Sequence, residues 1–181
     1  MKLWATLRDA VVGWRLLLGR APGWRARFSL TRAGLVAALG LFVVVALLAV
    51  SVAAVDYGPP SLPGLIAGLL VLMIPLAGLL LALWVTRKAV DGLASWLDVL
   101  VPAIFLLIAF VPLEGMIAAL VGGPAVMLSW LALGLGYFRL ARAATAWSRG
   151  VSASFAILAV LMLVAVRIAL YILSNPPASP I

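Results

Sequence analysis

The sequence predicts an all-α fold: a polytopic membrane bundle of five transmembrane helices, preceded by an amphipathic interfacial helix. Three features of the chain predict it. Of 181 residues, 67% are hydrophobic and only 10% are charged, where a soluble domain carries about a quarter charged residues. The mean hydropathy is +1.29. Several uncharged runs reach span length, and the basic side chains crowd their ends on one side of the alternation. The strict alternation of a transmembrane β-barrel strand is missing from these runs.

The first span, residues 33–55, sets the frame. It reads AGLVAALGLFVVVALLAVSVAAV, with no charge and no proline. As a helix it reaches ~34 Å, enough to cross a ~30 Å hydrocarbon core with some tilt. Residues 1–32 form a basic amphipathic segment ahead of it. Within it, Leu3, Trp4, Leu7, Val11, Trp14 and Leu18 recur at helical spacing, with Arg8 and Arg15 along one edge. This stretch is too charged to span. Either it lies in the membrane interface with its Trp rings at headgroup level, or it packs on the underside of the bundle. Pro22-Gly23 marks a turn after it. A polar approach of ~32 residues and an apolar core of ~23 exceed the dimensions of a signal peptide.

The remaining spans are expected at residues 62–85, 96–112, 116–137 and 152–173, with residues 174–181 as a short external Pro-rich tail. Pro63 suits the first turn of the second span, and Pro75 and Pro102 fall inside spans, where each removes a backbone hydrogen bond. Gly64 and Gly68 form a small-xxx-small pair that suits close helix packing, with Gly78 further on. Asp56-Tyr57-Gly58-Pro59 and Leu113-Glu114-Gly115 read as acidic turns, and Gly122-Gly123-Pro124 loosens the fourth span.

Net charge is +8, with an isoelectric point near 11.4. Lys2, Arg8, Arg15, Arg20, Arg25, Arg27 and Arg32 precede the first span. Arg87 and Lys88 follow the second, and Arg139, Arg142 and Arg149 follow the fourth. Of thirteen basic residues, only Arg167 lies within a span, and the alternate loops hold none. The positive-inside rule then predicts an inner-membrane, multi-pass protein with a cytoplasmic amino terminus and an outside carboxyl terminus. The implied partners are membrane lipids, with anionic headgroups on the cytoplasmic side meeting Trp4, Trp14, Arg20, Arg25 and Arg27. A membrane-protein partner or a homo-oligomer is compatible with the small-residue pair. No nucleic acid is implied, since the charge sits at span ends and not along a groove.

The chain has no Cys and no His. That excludes disulfides and Ser-His-Asp or Cys-His catalysis, and it removes the softer metal ligands. Phosphate-binding glycine loops and a nucleophile elbow are missing too. No cofactor, metal or catalytic residue is expected, and the chain does not read as an enzyme. Three polar residues within or beside spans stand out: Arg167, Asp98 and Glu114. Arg167 is an intramembrane charge, for which a functional or a structural role is open. Its position places it ~8 Å from the outer surface, so its guanidinium is expected to snorkel there or to meet Glu114 or Asp56. Asp98 lies near the cytoplasmic boundary, within reach of Arg87, Lys88 or Arg139.

The chain from Gly134 to Tyr171 has a span ending in Tyr137-Phe138, a short basic turn with Gly150-Val151-Ser152, and an Ala/Leu/Val-rich last span. With five spans and a basic amino terminus, it resembles the Yip-domain family of small five-span membrane proteins. Asp56-Tyr57-Gly58-Pro59 is similar to an Asp-Leu-Tyr-Gly-Pro signature, placed here after the first span where the family has it before. The resemblance implies a non-enzymatic membrane protein, a scaffold or partner in membrane organisation. The alternative is a small transporter or accessory permease subunit, with a path near Pro75, Gly122-Pro124 and Arg167.

Overall fold

The computed structural model describes residues 3–53, 58, 61–90 and 95–174. Among these residues six helices follow in order: α1 (Leu3–Leu18), α2 (Arg32–Ala53), α3 (Leu62–Ala89), α4 (Trp96–Leu120), α5 (Gly123–Ala144) and α6 (Arg149–Ser174). A 3-10 turn, Arg25–Arg27, lies between the first two. Among the described residues there is no strand. Helices α2 to α6 are each long and apolar enough to cross a membrane, which marks the chain as a multi-pass integral membrane protein.

Polar caps start four of these helices. Thr31 Oγ1 accepts from Gly34 N at 3.1 Å, Ser61 Oγ from Gly64 N at 3.3 Å, Ser95 Oγ from Leu97 N at 3.3 Å, and Ser148 Oγ from Val151 N at 3.3 Å. Each satisfies a backbone N–H that the first helical turn leaves open. In a membrane protein such groups have no water to turn to once they leave the interface.

The helices touch in cyclic order, α2 to α4, α4 to α5, α5 to α6, α6 to α3, and α3 back to α2. Helix α4 is the most enclosed, with Val99 to Phe105 all buried. Its sequence is apolar on every side, as a central helix requires. Gly78 lets α3 approach α6, since a Cβ there would lie 3.1 Å from Met162 Cβ and 3.5 Å from Leu163 N. Gly68 faces Val50 of α2 in the same way. Gly68 and Gly78 therefore serve packing within the chain.

Several boundaries differ from those the sequence predicts. The stretch Leu113-Glu114-Gly115 is not a turn: α4 runs on through Pro112 and Glu114 to Leu120. The turn falls at Val121 and Gly122, where Gly122 has φ +99° and Pro124 occupies the first turn of α5. A glycine in the left-handed region followed by proline is the stronger turn signal, and Glu114 stays helical because its charge is met inside the bundle. Helix α3 likewise continues past residue 85 through Arg87 and Lys88 to Ala89, and both Pro75 and Pro102 are accommodated within continuous helices.

Helix α1 docks on α4 and α5. Ala10, Trp14 and Leu17 are buried, while Trp4 is 80% exposed. Trp14 Nε1 donates to the Pro102 carbonyl at 3.0 Å. Trp14 is therefore a packing residue and not a headgroup contact, which corrects the sequence expectation. Its ring fills a gap beside α4 and its one polar atom is satisfied there. Phe28 closes the same bracket, with ring centroids 6.2 Å from Trp24 and 5.9 Å from Phe105.

Candidate functional site

At the end of the bundle away from the basic residues, three helices each contribute one polar side chain at the same level. Glu114 lies six residues before the end of α4, Trp130 seven residues after the start of α5, and Arg167 seven residues before the end of α6. At ~1.5 Å per residue each is about 10 Å inside its helix end. The side chains meet there. Arg167 Nη2 donates to Glu114 Oε2 at 2.8 Å, and Arg167 Nη1 donates to Glu114 Oε1. Trp130 Nε1 donates to Glu114 Oε1 at 2.6 Å. The guanidinium thus grips the carboxylate with its planar fork, and the indole adds a third donor.

The pair is largely enclosed, with side-chain exposures of 23% for Arg167 and 11% for Glu114. A charge this far from water is costly alone, and pairing makes the unit neutral. The remaining polar atom of the site, Arg167 Nε, is buried without an acceptor. Chemically, the arrangement neutralises two charges and ties α4, α5 and α6 together. Of the partners that the sequence offers Arg167, Glu114 is the one observed, and Asp56 lies outside the described residues.

Trp130 was not legible as a member of this site. One signal points to it: a Trp some 10 Å inside a span carries an N–H that needs an acceptor, and Glu114 is the nearest acid in the sequence on that side.

Asp98 does not join this site. It sits in the first turn of α4 at the opposite end, where Arg25 Nε approaches Asp98 Oδ2 at 3.5 Å. Arg25 is a partner that the sequence reading did not name. Arg25 Nη2 also donates to the Ala144 carbonyl at 2.8 Å, and its guanidinium stands 5.1 Å from the Trp24 ring centroid. The carbonyl belongs to the last turn of α5, where an orphan acceptor and the negative helix end both favour a cation. Arg25, expected at lipid, is instead a clamp between the starts and ends of two helices, although half of its side chain stays exposed. Arg27 is exposed and so is Arg20. Arg20 has φ +57°, the one non-glycine left-handed residue among those described.

The elements named for a transport path lie on α3, on the α4–α5 turn and on α6. Pro75 is buried in α3 one turn from Gly78, while Gly122 belongs to the α4–α5 turn. Among the described residues no cluster of acids is able to hold a metal. The sequence matches no family model, and neither curated proteins nor solved structures give a match.

Proposed function

We propose that this integral membrane protein is non-enzymatic, a scaffold or partner protein of the inner membrane with a cytoplasmic amino terminus. The Glu114–Arg167 pair carries this reading. Both carboxylate oxygens are engaged, one of them twice, so the buried acid is committed to joining three helices. A relay or substrate site needs a group that exchanges partners, and this one is held by three donors within the bundle. The resemblance to the Yip-domain family points the same way. Much of α2 and α3 is turned outward, including Val44, Ile66 and Leu70. Photoreactive side chains at these three positions, activated in native membranes, are expected to give a discrete protein adduct. Lipid adducts alone at all three would sink the scaffold reading.

The distribution of basic residues supports the orientation. A reporter active only in the periplasm is expected to work after Ile181 and to be silent after Lys88. The reverse pattern would refute it.

A second reading, as a small transporter, draws on the buried Arg167 Nε that lacks an acceptor. A substrate anion reaching that atom would have to open the pair with Glu114. Anion uptake into proteoliposomes, sensitive to Glu114→Gln, would favour this reading; no uptake above empty vesicles would exclude it.

A further inference from the structure

At the basic end, α1, α5 and the start of α6 border an open cavity of about 630 Å³, lined by Arg20, Arg139, Arg142 and Arg149 with Trp24 and Phe138. Arg142 Nη1 donates to the Trp147 carbonyl at 2.5 Å. Among the described residues, no carboxylate forms an ion pair with any of the four arginines. Four like charges around one volume repel one another unless an anion joins them.

The backbone at Arg20 is a second observation. Ala21 N donates to Leu16 O at 2.9 Å and Arg20 N to Leu17 O at 3.2 Å, so α1 ends in a Schellman turn with Arg20 at the left-handed position. Glycine is the unstrained residue for that position, and here glycine stands one place earlier, at Gly19. The chain holds an arginine in a strained conformation at the rim of a basic cavity.

The third observation is continuity. Phe138 is also the wall of an apolar groove of about 450 Å³ on α5 and α6. The groove runs from Phe138 past Gly134 to Trp130 on α5, and from Ala153 to Leu161 on α6. Eight residues of helix cover ~12 Å, close to the ~15 Å depth of one hydrocarbon leaflet.

We propose that cavity and groove together bind one anionic phospholipid, with its phosphodiester among the arginines and an acyl chain along α5 and α6. Guanidinium forks suit phosphate oxygens, and the groove supplies an apolar bed continuous with them. The site is independent of the scaffold or transport reading. It shares its headgroup chemistry with free phosphate, and the acyl groove separates the two.

The test uses the purified full chain in neutral detergent, with native mass spectrometry and thermal shifts. Dioleoyl phosphatidylglycerol, dioleoyl phosphatidylcholine and inorganic phosphate are compared at equal concentration. Phosphatidylglycerol is expected to remain bound and to raise the melting temperature, and the other two to do neither. Arg139→Gln with Arg149→Gln should weaken its binding about twenty-five-fold, or about five-fold per arginine. Ala153→Phe, which fills the groove, should remove the advantage of the lipid over phosphate. Arg20→Gly relieves the backbone, so it should keep or raise the lipid-free melting temperature while weakening lipid binding about five-fold. That variant keeps the test decisive if the double variant misfolds. The proposal is overturned by phosphate matching the lipid, by phosphatidylcholine matching phosphatidylglycerol, by unchanged binding in Arg20→Gly, or by unchanged binding in Ala153→Phe.

Discussion

Glu114 and Arg167 stand 53 residues apart in sequence and meet as a two-pronged ion pair between α4 and α6. Insertion scales charge about 2.5–3.5 kcal/mol for a lone Arg at mid-helix. Here the charge arrives with its counterion, and Trp130 supplies a further N–H to the same carboxylate. The unit is neutral overall, and its polar atoms other than Arg167 Nε are engaged with one another.

Trp130→Phe removes the donor together with part of the indole's bulk, and only the donor's share depends on the charge of Glu114. The expected loss is about 1.5–3 kcal/mol, the range for a hydrogen bond to a charged group. It should shrink in a Glu114→Gln background, where the acceptor is no longer charged. Denaturation in nanodiscs measures both. Equal losses in the two backgrounds would show that the indole contributes packing alone.

Gly78 sets the spacing of α3 and α6. Gly78→Ala places a methyl 3.1 Å from Met162 Cβ, a contact that small shifts absorb, and helix propensity returns up to about 1 kcal/mol. Gly78→Leu has no such room and should cost about 1–3 kcal/mol or more. Thermal unfolding of the two variants checks this, and a Leu variant as stable as the Ala variant would mean that the helices do not meet at Gly78.

The five spans were legible because membrane helices must be long, apolar and hydrogen-bonded within themselves, all of which a sequence displays. The Glu114–Arg167 meeting was legible in outline from depth alone. Its form was not. Leu113-Glu114-Gly115 looks like a turn because an acid beside proline and glycine normally marks water, and the local pattern carries no sign that Arg167 will neutralise it. Trp14 misled for a related reason: a Trp on an amphipathic helix reads the same whether it faces headgroups or a carbonyl of α4. Residues 175–181, within the expected external tail, lie outside the described residues.

The docking of α1 separates two tryptophans. Trp4 is 80% exposed, and Trp14 is buried with its N–H on Pro102. In nanodiscs containing bromolipids, Trp4→Phe should remove quenchable fluorescence, while Trp14→Phe should leave the quenched intensity intact. Trp14→Phe should instead speed amide exchange across α1, since it removes a hydrogen bond worth about 0.5–1.5 kcal/mol. If both variants lower quenching alike, α1 lies on lipid and does not dock.

The charge pair gives the sharpest test, because snorkelling and pairing predict opposite orders. A snorkelling Arg167 would tolerate Lys, whose ammonium also reaches the interface. A paired one does not, since Lys lacks the planar fork that engages both oxygens of Glu114. Arg167→Leu leaves Glu114 enclosed with only Trp130 as donor and should cost about 3–5 kcal/mol, the penalty for stranding one member of a buried pair. Arg167→Lys should fall between wild type and Leu. Replacing both residues with Leu removes both charges, and burying an apolar pair in their place should restore most of the lost stability. The expected coupling between the two positions is therefore large and favourable in a double-mutant cycle on thermal stability in nanodiscs. Additive losses, with Arg167→Lys at wild-type stability, would show that the guanidinium is held by the interface and that Glu114 is only a neighbour.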